Sequence, residues 1–306
     1  MAPRELAAPD GDPLPWRERL RGYSALVGGD RPAGWLVVLL PTGWALWLAA
    51  KGWPQMGLLL AFVAGGILLR GASRAIDGYF GAVRDALVGR IARFPPDADL
   101  VDPRLAALLC LALLLVVASL VLALHPAALW LGASWTVLAL GYLLVKRHLY
   151  LAQAYVGALA GWGVPMAFAA QSGSVPSLGW TLYVATVFWV TACATWRSMA
   201  ERNDDLLSGA KSLAILLGEV DLIGQGVLYA GAFVALVLVG REAGLGGWYW
   251  LGLALALVPV GLAFRIARHR DSAGCLRALG CNGWFGLAVL IGIVLDFALR
   301  AKVVAA

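Results

Sequence analysis

Long apolar blocks, each of a length suited to crossing a lipid bilayer, recur along almost the whole chain. Nine such blocks can be delimited, at about residues 33–50, 55–71, 104–124, 127–145, 151–171, 178–197, 222–240, 247–264 and 282–299. A transmembrane helix needs roughly 20 predominantly apolar residues. In lipid only helices and closed barrels satisfy all their backbone hydrogen bonds. The pattern predicts an all-α, polytopic membrane protein built as a bundle of about nine transmembrane helices.

Composition supports this prediction. Only 14% of the 306 residues are charged, whereas an ordinary soluble domain carries about 25%. A larger core would not explain the shortage, because a water-soluble protein must still cover its surface with polar groups. We therefore expect a polar N-terminal arm at residues 1–32 and a single transmembrane domain at 33–306. Within the fifth block, Gly157 and Gly161 form a small-residue pattern that predicts close helix packing.

The basic residues indicate the orientation of the chain. Nearly all lie in the N-terminal arm or in the segments after the second, fourth, sixth and eighth blocks; the four exceptions are Lys51, Arg241, Arg300 and Lys302. Basic residues favour the cytoplasmic side of a membrane, so we expect the N-terminus to be cytoplasmic and the protein to lie in the cell inner membrane. The net charge of +6 then reflects topology and contact with anionic lipid, and no nucleic-acid partner is expected.

An acidic cluster follows the sixth block. Glu201 and Asp205 are four residues apart, which on a helix places two carboxylates on one face, where they repel each other. Asp204 adds a third charge. Hard oxygen ligands of this kind suit Mg²⁺ that bridges to a diphosphate. The alternative is a solvated acidic loop balanced by three basic neighbours, Arg197, Arg202 and Lys211. Spacing alone leaves both interpretations open.

A second acidic segment follows the second block. Asp77 and Asp85 are eight residues apart, about two helical turns, which is too far to share one ion without a bend. Arg90 and Arg93 come next and are suited to phosphate oxygens. Taken alone, the segment is also typical of a basic juxtamembrane loop.

The run from Met199 to Gly218, which reads MAERNDDLLSGAKSLAILLG, resembles the second aspartate motif of the UbiA superfamily of intramembrane prenyltransferases. The resemblance extends to residues 30–47, to Lys146 and Arg147, and to 161–170, and it covers nearly the whole chain from about residue 20. Within the superfamily the sequence is most similar to the bacterial 4-hydroxybenzoate polyprenyltransferases of ubiquinone biosynthesis.

The resemblance implies a helix bundle around a central cavity, with two Asp-rich motifs that hold Mg²⁺ against a polyprenyl diphosphate. It implies that the allylic carbon–oxygen bond ionises and that the ring of 4-hydroxybenzoate, or of a similar aromatic acid, is prenylated ortho to its hydroxyl. The residues that match the family's functional positions fall into three groups. The implied metal ligands are Asp77, Asp85, Glu201, Asp204 and Asp205; the implied substrate contacts are Arg90, Lys146, Lys211 and Asp77; the implied catalytic residues are Asp85, Glu201, Asp205 and Arg147.

The first motif departs from the family pattern, since Gly78 and Gly81 stand at two positions that are usually acidic. Three alternatives therefore accompany the main hypothesis. The chain would be a non-catalytic, isoprenoid-binding family member with a weakened first metal site, a prenyltransferase for a different aromatic acceptor, or a transporter. The absence of a convincing inverted repeat in the sequence argues against the transporter.

Overall fold

The computed structural model describes residues 33–68, 126–145 and 148–304, together with 108, 111, 112 and 115. The chain divides into two compact units, Met1–Pro32 with Ile67–Val116 and Ala33–Gly66 with Val117–Ala306. Nearly all of the described residues belong to the second unit, and the account below concerns that unit.

The described part of the chain is helical and contains no strand, so the all-α prediction is confirmed. Two single turns of 3₁₀-helix, Gly218–Val220 and Ala267–His269, connect neighbouring helices. The α-helices within the described ranges are α1 Ala33–Ala50, α2 Met56–Leu68, α3 Pro126–Val145, α4 Ala152–Gly161, α5 Gly163–Ser172, α6 Ser177–Ala200, α7 Arg202–Ser208, α8 Leu213–Leu217, α9 Asp221–Glu242, α10 Gly247–Leu255, α11 Leu257–Ile266 and α12 Ser272–Val304.

Two of the apolar blocks are each divided into a pair of helices by a proline. α4 ends at Gly161, four residues before Pro165, and α10 ends at Leu255, four residues before Pro259. Proline has no backbone N–H, and its ring clashes with the carbonyl of the residue four positions earlier. The helical hydrogen bonding is therefore interrupted at that carbonyl, and the next helix begins two residues later.

The last helix begins ten residues before the apolar block from which it was predicted. α12 starts at Ser272, whereas the block starts at 282. Asp271 fixes the start, because its Oδ2 accepts a hydrogen bond from the backbone N–H of Gly274 at 2.9 Å, as expected of an N-cap residue. Arg277 then lies inside the helix. A search for apolar runs misses this beginning, because Ser272 and Arg277 interrupt the apolar pattern.

Long, apolar and lipid-facing helices dominate this unit. Within the described residues, four continuous helical segments are long and apolar enough to cross a membrane: Ser177–Ala200, Leu213–Glu242, Gly247–His269 and Ser272–Arg300. Only 33% of the apolar window in Leu213–Glu242 is buried inside the protein, and large side chains such as Trp130 and Trp284 are 81% and 70% exposed. Soluble proteins rarely expose so much apolar surface to water, so the chain is an integral membrane protein.

Helix α6 lies at the centre of the unit. Gly157 of α4 approaches it so closely that a Cβ atom there would lie 2.7 Å from the backbone oxygen of Val187, which confirms the packing role predicted from the small-residue pattern. On its other side, α6 packs against α9 and α12. The Trp189 Nε1–H and the Tyr229 hydroxyl both donate to Asn282 Oδ1, at 3.0 and 2.8 Å. These buried polar groups thus satisfy one another within the apolar core.

The connections between these helices lie at two ends of the unit, and polar contacts join the residues at each end. The acidic end comprises residues 201–221 and 267–271, which are joined by ion pairs of Asp221 with Arg202 and with Arg270. The opposite end comprises residues 173–176 and 243–246. It is marked by hydrogen bonds from Ser177 to Glu242 and from the Gly246 N–H to Asp296. Helices α6, α9 and α12 run between the two ends.

Candidate active site at the acidic end

The short acidic helix α7 follows directly on the membrane helix α6. Glu201 forms the junction, with φ −97° and ψ 5°, and helical geometry resumes at the next residue. Gly209 ends α7 with a φ of +68°, a left-handed conformation that glycine adopts without a Cβ clash. Glu201, Asp204 and Asp205 are therefore presented on about one helical turn at the end of the bundle.

The environment of Asp205 brings these carboxylates into electrostatic contact. Burial raises the pKa of Asp205, and the negative charges of Glu201 and Asp204 raise it further. The three acids are thus close enough to repel one another. A bound cation would relieve this repulsion, so the cluster favours a positively charged ligand.

Arg197 supplies only a weak counter-charge. Its Nε lies 3.0 Å from Glu201 Oε1, and the two side chains are 57% and 47% exposed. Exposed ion pairs of this kind contribute about 0–1 kcal/mol, so Glu201 remains able to exchange its arginine for a metal ion. Of the other two basic residues expected to balance the cluster, Arg202 contacts Asp221, and Lys211 Nζ lies 5.1 Å from the ring centroid of Tyr150.

The donor set at the acidic end suits a metal ion that arrives with its substrate. Among the side chains that the structure describes, no three of His, Cys, Asp or Glu are placed to hold a metal ion by themselves. Mg²⁺ is commonly bound by one or two carboxylates together with water and substrate phosphates. The hard oxygens of Glu201 and Asp205, which are electrostatically coupled, provide such a partial set. The residues therefore fit Mg²⁺ bound jointly with a diphosphate.

The segment after α7 is also fixed in place. Ser212 has extended backbone angles before α8, and the backbone N–H of Leu213 donates to Gln153 Oε1 of α4 at 2.9 Å. This bond ties the connection that carries Lys211 to the start of α4. Lys211 consequently lies at the same end of the bundle as the three acids.

Comparison with known proteins decides the family. The model of the UbiA prenyltransferase family matches residues 38–290. The chain belongs to the UbiA prenyltransferase family. The predicted resemblance and the predicted enzyme class are thereby confirmed.

Relatives of this UbiA-family chain are similar over almost their full length. The 4-hydroxybenzoate octaprenyltransferase of Xanthomonas campestris pv. campestris is 48% identical, over 94% of this chain and 95% of that protein. The enzyme of the same name from Xanthomonas oryzae pv. oryzae is 46% identical over 90% and 92%, and that of Xylella fastidiosa is 44% identical over 92% and 94%.

Two solved structures share the UbiA fold. A UbiA homologue from Aeropyrum pernix K1 in its apo form superposes with a TM-score of 0.70 at 23% identity, covering 85% of this chain and 97% of that one. A digeranylgeranylglyceryl phosphate synthase gives a TM-score of 0.64 at 15% identity, covering 92% and 99%. At these identities the likeness establishes the fold alone.

The structure describes only part of the predicted site of this UbiA-family protein. Glu201, Asp204, Asp205 and Lys211 lie at the acidic end, as described above. Five further predicted residues, Asp77, Asp85, Arg90, Lys146 and Arg147, fall outside the described residues. Their roles remain predictions.

Sequence reasoning missed Asp221, the most deeply buried acid at this end. Asp221 is fully buried at the start of α9 and contacts Arg202 Nη2 and Arg270 Nε, the latter at 2.8 Å from its Oδ1. The available signal was an acid directly before an apolar block, which is typical of an ordinary acidic residue at a helix N-terminus. Its two arginine partners are 19 and 49 residues away, so no local pattern reveals them.

Proposed function

We propose that this protein transfers a polyprenyl group from polyprenyl diphosphate to the ring carbon of 4-hydroxybenzoate ortho to the hydroxyl, as a step of ubiquinone biosynthesis. The observation that carries the proposal is the coupled carboxylate cluster at the end of α6, in a chain whose relatives at 44–48% identity are named 4-hydroxybenzoate octaprenyltransferases. The carboxylate cluster supports the type of reaction, and the names of the relatives support the identity of the substrates.

In the proposed reaction, the bond between the allylic carbon and the diphosphate oxygen breaks, and both electrons leave with the diphosphate. The electron-rich ring carbon ortho to the hydroxyl forms a new bond to the allylic carbon and then loses its proton. The products are the prenylated aromatic acid, diphosphate and one proton. The difficulty of the first step is the negative charge that develops on the leaving group, and preorganised positive charge lowers that barrier.

Mg²⁺, when bound, would neutralise charge on the diphosphate. Glu201 and Asp205 would hold the ion and Asp204 would add to the negative potential, while Lys211 would contact a phosphate or carboxylate oxygen. Asp77 and Asp85 as further ligands, and Arg90, Lys146 and Arg147 as anion contacts, are carried forward as predictions. The apolar helices exclude water, which would otherwise capture the allylic centre.

We further propose that the acidic end faces the cytoplasm and that the membrane is the bacterial inner membrane. The arginines of the described connections at the acidic end, namely Arg202, Arg268 and Arg270, agree with the positive-inside rule. Water-soluble 4-hydroxybenzoate would reach the site from that side, and the prenyl tail would remain in lipid.

The reaction is tested directly in membranes that contain the protein. They are incubated with 4-hydroxybenzoate and a long-chain polyprenyl diphosphate, with Mg²⁺ or with a chelator, and prenylated product is measured by mass spectrometry. We expect product only with the divalent ion. A protein that forms no product with any divalent metal would contradict the proposal, whereas product from another aromatic acid alone would reassign the acceptor.

Orientation is tested with single cysteines. Leu207 is 77% exposed at the acidic end, and Arg241 is exposed near the opposite end. Cys193, Cys275 and Cys281 are buried, and Cys110 is replaced by serine to remove background labelling. In intact cells, a thiol reagent that cannot cross the inner membrane should label Arg241→Cys but not Leu207→Cys. The reverse pattern would overturn the proposed orientation.

A further inference from the structure

The pairing of Arg202 raises a question about the acidic end. Arg202 immediately follows Glu201 in sequence and lies three residues before Asp205 on α7. Residues three apart on a helix are neighbours, so an unrestrained arginine at this position would have the Asp205 carboxylate within reach. Its guanidinium instead contacts Asp221 of α9. The arginine is thus directed toward a different helix from the one that carries the acids.

The Asp221 carboxylate has no role in the proposed chemistry, yet its burial is complete. It also accepts hydrogen bonds from Arg270 Nε and from the Leu222 backbone N–H, at 2.8 and 2.7 Å. Arg270 Nη2 in turn donates to the Glu219 carbonyl at 2.7 Å. A buried carboxylate is costly unless it is paired and hydrogen-bonded, and here both oxygens have partners. Asp221 is therefore a fixed anion with two bound guanidinium groups.

Arg202 loses a hydrogen bond in this arrangement. Among the described residues, its Nε is buried and has no acceptor, and its side chain is 23% exposed. In a more open position the same N–H would bond to water. The attraction of the buried Asp221 charge, which little water screens, is what holds the guanidinium where it is.

We propose that Asp221 is a positioning residue that holds Arg202 away from the acidic cluster, so that Arg202 does not compete with a divalent cation for the carboxylates of that cluster. The inference rests on the proposed function, because it concerns the metal that the cluster would bind. Without Asp221, Arg202 would be able to turn toward the cluster and compete with the ion. Arg270 assists by balancing the second oxygen of Asp221.

The proposal predicts an unusual pattern of single and double substitutions. Asp221→Asn should raise the Kd of Mn²⁺, titrated by calorimetry in the presence of inorganic pyrophosphate, about tenfold, as changes to groups around a metal site commonly do. Arg202→Gln alone should leave the Kd within about twofold. The double variant Asp221→Asn/Arg202→Gln should recover most of the lost affinity, because the competing cation is gone.

A purely mechanical role for the ion pair predicts a different pattern. If the pair only anchors α7, then Arg202→Gln and Asp221→Asn should weaken Mn²⁺ binding alike, and the double variant should recover nothing; either result would overturn the proposal. A large loss in Arg202→Gln alone would overturn it too, by assigning Arg202 to the phosphate. If Asp221→Asn does not remain monodisperse in detergent, the Arg202→Gln result still decides between these outcomes.

Asp296→Asn is the matched control, since Asp296 is equally buried and paired with an arginine, but at the opposite end. It should leave the Kd of Mn²⁺ unchanged. Failure of the proposed function is distinguishable from failure of this inference. If the unsubstituted protein binds no Mn²⁺ with pyrophosphate and forms no product, the proposed function fails. If it does both and Asp221→Asn equals it, only the inference fails.

Discussion

Two buried aspartates, one at each end of the bundle, have similar partners and different consequences. Asp296, 1% exposed, accepts two hydrogen bonds from the Gly246 N–H, at 2.9 and 3.0 Å, and pairs with Arg300 four residues along its own helix. Asp221 gathers Arg202 and Arg270 from two separate connections. The first acid closes one turn between α9 and α10, whereas the second organises the surroundings of a carboxylate cluster.

The difference shows that burial of an acid within a membrane protein does not identify a reactive site. Intramembrane acids are functional candidates by default, yet the contacts of Asp296 with the Gly246 N–H and with Arg300 account for its position. At the acidic end, by contrast, Asp205 is only partly buried and its pKa is raised partly by other carboxylates. Mutual repulsion between neighbouring acids, rather than depth in the membrane, distinguishes the candidate active site.

The largest effect is expected for a substitution at the acidic end, which should lower enzymatic activity. Asp205→Asn should lower kcat/KM for prenyl transfer about 100- to 1,000-fold, because it removes a carboxylate proposed to hold the cation that stabilises the leaving group. Asn203→Ala, at an exposed position of the same helix, is the control and should retain activity. Steady-state assays in detergent measure both, and an Asp205→Asn enzyme of normal activity would remove Asp205 from the site.

The next effect concerns packing toward the opposite end. A Cβ atom on Gly252 of α10 would lie 2.7 Å from the Ala288 backbone oxygen and 2.8 Å from the Gly292 Cα of α12. Gly252→Ala should therefore lower the free energy of unfolding by about 1–3 kcal/mol, without lowering the specific activity of the protein that remains folded.

Gly261→Ala is the control for this substitution, because no atom lies within 4 Å of its added Cβ. It should leave stability equal or slightly higher, since alanine favours a helix by up to about 1 kcal/mol over glycine. Thermal denaturation in detergent compares the two variants. Equal Tm values would show that the close contact of α10 with α12 does not contribute to stability.

The fold was predictable from sequence to a greater extent than the site. The apolar blocks are a strong signal, because lipid permits few structures, and block 33–50 coincides with α1. The helix breaks at Gly161 and Leu255 follow from Pro165 and Pro259, and they could have been predicted from these prolines. The early start of α12 at Ser272 was not predicted, because Ser272 and Arg277 interrupt the apolar pattern of its first turns.

The site was predictable only where its chemistry is local in sequence. Glu201, Asp204 and Asp205 lie within five residues, so their repulsion follows from helical spacing. The contact of Arg202 with Asp221 and Arg270 depends on how α7, α9 and the start of α12 meet, and no single segment records it. Spacing therefore indicated Arg202 as a counter-charge for the acidic loop, whereas the structure directs it to Asp221.

A smaller effect is expected when Asp296 is changed. Asp296→Asn keeps one oxygen acceptor for the Gly246 N–H and leaves the half-exposed Arg300 (47%) without its partner. We expect a loss of about 1–2 kcal/mol in the free energy of unfolding, with kcat/KM unchanged. Thermal denaturation and the prenyl-transfer assay on the same preparation test this, and a selective loss of activity would make the opposite end functional.

The smallest effect should come from Glu242, whose carboxylate accepts hydrogen bonds from the hydroxyls of Ser177 and Thr181 at an exposed position. Glu242→Gln should change the free energy of unfolding by less than about 1 kcal/mol, because an amide oxygen still accepts one of these bonds and water is nearby. A shift in Tm as large as that of Gly252→Ala would show that this surface contact contributes more to stability than expected.

The location of the bound cation tests the central claim most directly. Nitroxide labels are attached at Leu207→Cys and, separately, at Arg241→Cys, and Mn²⁺ is added with a non-reactive polyprenyl diphosphate analogue. Helix α9 has 22 residues and is about 33 Å long at 1.5 Å per residue, so the two labels differ greatly in their distance from the acidic cluster. The account predicts strong paramagnetic broadening of the label at 207 and little at 241; broadening at 241 with none at 207 would contradict it.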